Sequence, residues 1–341
     1  MRINCIKSFF PARLLSHLSI SIFLVVVFAI QLPGFSQEKT AGKQNETSAK
    51  RDTTLQLKKH SLNFFLVSDW GWNGYGYQTD VAKQMEKTAE QADPAFIISC
   101  GDNFQVKGVQ SVNDPLWLTT FEYVYKSPAM QCDWYPVLGN HDYKGVPEAE
   151  VQYSKISRRW RMPSRYYTLV KKVTDSISAR FIFTDTPPMV NEYYGKNESY
   201  GDIASQDTAK ELSWLKDVLA NAKEKWIIVI GHHPVYSASP KHGNTPELIA
   251  KFKPLFDKYG VDFYFCGHDH DMQHLRPAGS NTDYIVTGSG GETRPTGKDA
   301  NTVFSLSEPG FTLMSINGKQ LTLYFINSKG QIVYSMSKSK K

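Results

Sequence analysis

Five short apolar runs, each delivered into a small block of ligand-type side chains, constrain this chain more than any other feature. Phe64-Phe65-Leu66-Val67 leads into Ser68-Asp69-Trp70-Gly71, and Phe96-Ile97-Ile98 into Gly101-Asp102-Asn103. Tyr135-Pro136-Val137-Leu138 leads into Gly139-Asn140-His141-Asp142. Ile227-Ile228-Val229-Ile230 leads into Gly231-His232-His233-Pro234, and Phe263-Tyr264-Phe265-Cys266 into Gly267-His268-Asp269-His270. Short continuous apolar runs closed by glycine read as buried strands. In open α/β sheets, ligands bind beyond the carboxyl ends of the strands. Five polar blocks at five strand ends are therefore expected to meet on one rim.

Taken singly, each block is bland. A lone Gly-Asp or Gly-His is ordinarily a turn, and a single buried His is ordinarily a hydrogen-bonded core residue. As a set the blocks supply carboxylates, one amide oxygen and several imidazoles, donors that suit borderline metals such as zinc, manganese and iron. So many donors can hold two ions, and two adjacent ions form a clamp for phosphoryl transfer.

The rest of the chain fits a layered α/β sandwich in one domain. Helical spacing is expected over 77–91, 115–125 and 209–222. Thr245-Pro246-Glu247 opens a further helix, with Thr as its cap, that ends at Gly260. Strands are expected over 178–184, 283–287 and repeatedly over 311–336, the last joined by turns at Asn317-Gly318 and Lys329-Gly330. Residues 143–167 read as a long polar and aromatic loop, a lid or a solvated segment, carrying Arg158, Arg159, Trp160 and Arg161.

The chain has 341 residues and 41% hydrophobic content, enough for a sizeable core. The formal charge of +6 includes Arg2, Lys7 and Arg13 with no acid in the first 36 residues, so half of the excess lies there. That balance gives no reason to expect a nucleic-acid partner. Arg2, Lys7 and Arg13, the apolar stretch 20–30 and the small residues before Gln37 form a secretory signal pattern over 1–36, cleaved near Ser36. An uncleaved anchor is the alternative, but the run is shorter than the ~20 residues of a spanning helix. The mature protein is thus expected to be secreted or periplasmic, with no stable membrane association. Residues 37–60 read as a disordered spacer, 61–336 as the domain, and the Lys-rich 337–341 as a solvated basic tail. With Cys5 in the leader, Cys100, Cys132 and Cys266 remain, an odd set that supports no disulfide framework.

In this order, the five blocks resemble the calcineurin-like metallophosphoesterases, and more closely the purple acid phosphatases of the small tartrate-resistant type. Tyr153 to Trp160 and Leu212 to Lys216 add to the likeness, which covers roughly residues 61–335. The resemblance implies a single-domain α-β-β-α sandwich that hydrolyses small phosphate monoesters, with a hydroxide held by two metal ions as nucleophile. It implies that Asp102 bridges both ions, that Asp69 and His270 complete one site, and that Asn140, His232 and His268 complete the other. His141 would face the substrate, and His242 would be a second catalytic histidine. A phosphodiesterase or nucleotidase on the same scaffold, or a non-catalytic metal- or phosphate-binding protein, are the alternatives. One position departs from the family pattern: the Tyr expected three residues after the bridging Asp is Gln105. The phenolate that favours ferric iron is missing, so two divalent ions (Fe, Zn or Mn) and an optimum nearer neutral are expected.

Overall fold

A computed structural model describes residues 54–340, and the expected leader and most of the spacer lie outside the described residues. Strands β1 (Leu62–Val67), β2 (Phe96–Ser99) and β3 (Asp133–Pro136) come first, with helix α1 (Gln78–Ala92) between β1 and β2. After α2 (Pro147–Tyr153) come β4 (Tyr167–Lys172) and β5 (Ser178–Phe183). The short α3 (Asn197–Tyr200) and the longer α4 (Thr208–Ala220) precede β6 (Trp226–Ile230). Helix α5 (Pro246–Tyr259) precedes β7 (Phe263–Cys266), β8 (Met272–Leu275), β9 (Asp283–Thr287) and β10 (Thr302–Leu306). The described chain closes with β11 (Gly310–Asn317), β12 (Gln320–Asn327) and β13 (Ile332–Ser339).

The strands form two sheets. One has six strands in the order β13-β12-β11-β1-β2-β3; the other has seven in the order β10-β8-β9-β7-β6-β5-β4. The runs that read as continuous apolar stretches are the central parallel strands β1, β2, β6 and β7, buried on both faces. Side-chain alternation assigns the layers. Trp226, Ile228 and Ile230 of β6 join the cluster shared with the first sheet, whereas Ile227 and Val229 join Leu215 of α4 and Phe252 of α5. Phe263 and Phe265 of β7 likewise point inward, and Tyr264 and Cys266 outward. Phe181 of the second sheet packs edge-on against Phe64 (5.2 Å) and Phe96 (5.3 Å) of the first, which fixes the inter-sheet contact. With α1 on the outer side of the first sheet, this is the expected α-β-β-α sandwich.

Several expectations need correction. The segment 143–167 is no open loop. It contains α2, and Arg159 is buried over the Phe121 ring (4.0 Å), donating to the Tyr125 carbonyl (2.7 Å) and pairing with Glu122 (2.9 Å). Arg159 therefore braces the wide turn Trp117–Glu122, while Arg158 and Arg161 bond to Gln131 and Asp133 instead of forming a lid. The spacer ends earlier than residue 60, because Leu55 and Leu57 pack on the core and the Gln56 carbonyl accepts from the Tyr324 hydroxyl (3.1 Å). Nor are residues 337–340 a free tail. Strand β13 runs through Ser339, and the ammonium groups of Lys338 and Lys340 reach Asp283 (3.0 Å) and Asp262 (2.6 Å). Thr245 precedes α5 without a side-chain cap bond. Cys100, Cys132 and Cys266 are free thiols. No helix among the described residues is long and apolar enough to cross a membrane.

Candidate metal centre

The ends of β1, β2, β6 and β7 lie together, and the turn after each carries polar side chains into one spot. The Ser68 hydroxyl donates to the carbonyls of Cys100 (2.9 Å) and Gly101 (3.1 Å), tying the ends of β1 and β2. Asp69, Asp102 and His268 all adopt left-handed backbone, with φ of 56°, 51° and 68°. That conformation is costly for residues with a Cβ and persists only where the surroundings enforce it. Glycine is enforced by crowding as well. A Cβ on Gly139 would stand 2.2 Å from Asp102 Oδ1, and one on Gly267 would stand 2.3 Å from Asp69 Oδ2. The glycines of the blocks thus let the carboxylates lie flat against neighbouring backbone.

All six expected donors converge. His270 Nε2 is 3.3 Å from Asp69 Oδ1, and His232 Nε2 is 3.5 Å from Asp102 Oδ1. Asn140 Oδ1 lies 3.1 Å from His232 Nε2 and 3.0 Å from His268 Nδ1. Asp102 stands between the two halves: Oδ1 faces His232, and Oδ2 faces Gln105 Nε2 at 3.3 Å. Backbone amides anchor both acids, His141 N to Asp102 Oδ1 (2.8 Å) and His268 N to Asp69 Oδ2 (2.9 Å).

The donor chemistry fits a cation. His232 Nδ1 is 2.9 Å from the Cys100 carbonyl, which can only accept, so this nitrogen carries a proton. In the neutral ring the Nε2 lone pair then confronts Asn140 and Asp102 oxygens, acceptors facing an acceptor. A cation among them resolves that conflict, with the carbonyl as the outer partner that orients a ligating imidazole. Without one, the conflict pushes the ring toward protonation: burial opposes the charge, but Asp102 and Asp69 overcome it and raise the His232 pKa. His270 Nδ1 lies 2.9 Å from a Glu292 carboxylate oxygen but makes no hydrogen bond to it, while Nε2 faces Asp69. Burial alone would raise Asp69, yet the charge and hydrogen bond of His270 carry its carboxyl well below the usual range. Burial and the neighbouring His233 and His232 hold His268 well below its ordinary pKa, leaving a neutral ring. His233 lies close by but is committed elsewhere, with Nδ1 on Thr186 (3.1 Å) and Nε2 on Tyr193 (2.7 Å), so it offers no lone pair.

A small cleft of about 80 Å³ opens over these donors, lined by Asp102, Asn140, His268 and His270 and also by His141, His242, Lys241 and Arg294. The His141 ring is held through Nδ1 by the Gln105 carbonyl, and Lys144 Nζ lies 3.4 Å from its Nε2. Burial, with some help from Lys144, lowers its pKa despite the pull of Asp102. The His242 ring lies tilted against that of His268, with centroids 4.2 Å apart; partial burial, then Lys241 and Arg294, push its pKa down to about 4. His141, expected to face the substrate, and His242 both line the cleft. Asp142 does not touch the His141 ring. Its carboxylate accepts from Gly139 N (2.8 Å), Asn103 N (3.1 Å) and Phe104 N (2.9 Å), bracing the turns that carry Asp102 and Asn140. Sequence reasoning missed Lys144, Glu292 and Arg294. The run Gly288-Ser289-Gly290-Gly291 before Glu292 was the available signal, since such a glycine cluster marks backbone packed against something.

Fold and donor set together define a metallophosphoesterase. The calcineurin-like phosphoesterase family matches residues 62–272, and the chain belongs to that family. Within it, the chain is similar to purple acid phosphatase 4 of Arabidopsis thaliana, 34% identical over 293 residues that cover 82% of this chain and 84% of the relative. It is also similar to human tartrate-resistant acid phosphatase type 5, 33% identical over 295 residues, 80% of this chain and 90% of the relative. Among solved structures it resembles GAP50, described as the anchor in the inner membrane complex of Plasmodium (TM-score 0.73, 28% identity, 82% of this chain and 89% of that one). The chain is accordingly a metal-dependent phosphatase of the acid phosphatase kind, and the family implies a divalent metal centre.

Proposed function

We propose that this protein hydrolyses phosphate monoesters at a binuclear metal centre held by Asp69, Asp102, Asn140, His232, His268 and His270. The observation that carries the reading is the meeting of imidazole lone pairs with carboxylate and amide oxygens, above all His232 Nε2 against Asn140 and Asp102. Asp102 is the shared group, since its two oxygens address different neighbours. When bound, two cations supply Lewis acidity toward the phosphoryl oxygens and lower the pKa of water.

The remaining work falls to side chains at the cleft. Lys241 and Arg294 give its mouth a positive field that draws in an anionic ester. The Gln105 carbonyl fixes His141 with Nδ1 as donor, so Nε2 is the nitrogen left to take up a proton and return it to the leaving oxygen. His242, its ring tilted against that of His268, contributes from the same cleft as a neutral phosphate contact. The substrates are small phosphorylated molecules, in keeping with so small a cleft. The reading includes export, on the strength of the leader pattern in residues 1–36. The description of the Plasmodium relative as an anchor makes a non-catalytic binding protein the second reading. A complete donor set with His141 in place favours hydrolysis.

Assaying a monoester and a diester side by side tests the substrate class. Turnover of p-nitrophenyl phosphate well above that of bis-p-nitrophenyl phosphate is expected; the reverse preference would overturn the monoester reading.

A further inference from the structure

Gln105 is buried, with 1% of its surface exposed, and its side-chain amide reaches the middle of the donor set. Its Nε2 is 3.3 Å from Asp102 Oδ2 and 3.5 Å from Asp69 Oδ1, while its Oε1 is buried without a hydrogen-bond partner. Contacts of that length are weak hydrogen bonds, and a stranded buried acceptor is destabilising. As a hydrogen-bonding group, then, the amide is poorly served at both ends.

The spacing suggests a different role. Oxygens bound about 2.1 Å from one cation stand about 3.0 Å apart along an octahedral edge and about 3.4 Å along a tetrahedral one. The amide head keeps such distances from one oxygen of each acid, and His270 Nε2 keeps 3.3 Å from the same Asp69 oxygen. An amide nitrogen has no free lone pair, whereas an amide oxygen has two. A half-turn about the last torsion exchanges them. That half-turn brings the unpartnered oxygen to two carboxylates, a position only a cation makes favourable. The backbone stays fixed meanwhile, because Gln105 N donates to the Gly71 carbonyl (3.0 Å) and its own carbonyl holds His141.

We propose that Gln105 is itself a metal ligand, binding through Oε1 the cation that Asp69, Asp102 and His270 hold. The assignment rests on the metal-centre reading and adds to it. A neutral oxygen completes this half of the centre, which leaves the two carboxylates as its only anionic side chains and matches it to a divalent ion. Because the same residue carries the His141 ring on its carbonyl, it links that half to the substrate side.

The test uses the full chain, stripped of metal and titrated with Co2+, reading calorimetric affinity and the visible d–d bands. The bands intensify when cobalt loses a ligand and its coordination number falls. Wild type should take two equivalents. Gln105→Leu should take one as before and the other at least ~10-fold more weakly, the least that losing even an outer supporting group costs, with stronger bands that loss of an outer group would not give. Gln105→Met repeats the test if the Leu variant does not fold. Gln105→Glu, which keeps an oxygen donor, should hold both equivalents at least as tightly as wild type. Leu and Met variants with wild-type affinities and spectrum would overturn the assignment alone. So would a Glu variant that binds less tightly than the Leu variant, the pattern of a hydrogen-bond donor lost. Wild-type protein that takes up no Co2+ would overturn the metal reading and this assignment with it.

Discussion

Asp142 offers the sharpest test of how the centre is held. Its carboxylate is the sole acceptor shown for three buried amides, with Oδ2 serving Gly139 and Asn103 and Oδ1 serving Phe104. Those amides belong to the turns that aim Asp102 and Asn140. Asp142→Ala strands three donors, each at about 1–3 kcal/mol, so the gross loss is on the order of 3–9 kcal/mol. Removing a buried carboxylate beside Asp102 offsets part of it, which places the net loss at about 3–4 kcal/mol. Asp142→Asn keeps the shape. With its oxygen placed toward Gly139 and Asn103 it loses only the Phe104 bond, for about 1–3 kcal/mol. For a chain of this size the Ala variant should melt roughly 10 °C lower. Urea denaturation of the metal-free proteins followed by tryptophan fluorescence measures both changes. The reasoning is refuted if Asp142→Ala stays within about 1 kcal/mol of wild type, well below the cost of even two stranded donors, or if Asn costs more than Ala.

Three further outcomes are expected. His141→Ala should keep both metals by elemental analysis and lose ~10²–10⁴-fold in kcat, the range of a general acid–base group; metal loss or wild-type turnover would count against its role. Asp283 is held low, to about 2: burial opposes this, but the His274 hydrogen bond and Lys338 prevail. Its folded pKa lies below the unfolded value, so its stabilisation is present above about pH 4 and is lost as pH falls toward 2. The amount is roughly 2 kcal/mol. Comparing urea midpoints of metal-free wild type and Asp283→Asn at pH 7 and pH 3 checks this, and an unchanged gap would contradict it. Finally, N-terminal sequencing of exported protein should find a start near Gln37, and an intact Met1 would favour the membrane-anchor reading.

How much of this was legible in the chain depended on where each residue's partners lie. β1, β2, β6 and β7 were readable because parallel strands buried on both faces must be continuously apolar. Their ligand blocks were readable because the donors follow immediately. β3 was misplaced by two residues: the strand is Asp133–Pro136, half-buried in alternation, and Val137-Leu138 already belong to the ligand turn. β8, with the sequence Met272-Gln273-His274-Leu275, gave no apolar signal. Its polar residues are buried because Gln273 finds Asp271 and Ser237, and His274 finds Asp283 and Tyr334. β4 and β10 are the outer strands of their sheet and carry weak patterns. Arg159 looked like surface charge because its partners Phe121, Glu122 and Tyr125 are distant in sequence. The same holds at the site. Gln105 stood out only as a departure from a family pattern, and its contact with both acids required the fold. Lys144 and Arg294 reach the cleft from turns whose direction no local pattern encodes.

The central claim is that six convergent side chains make hydrolysis depend on bound metal. The most direct measurement is activity on p-nitrophenyl phosphate before and after stripping, with metal content determined by elemental analysis on the same samples. The expected result is two divalent ions per active chain, no turnover once both are removed, and recovery when a divalent ion is returned. Full turnover by protein shown to be metal-free would contradict the account.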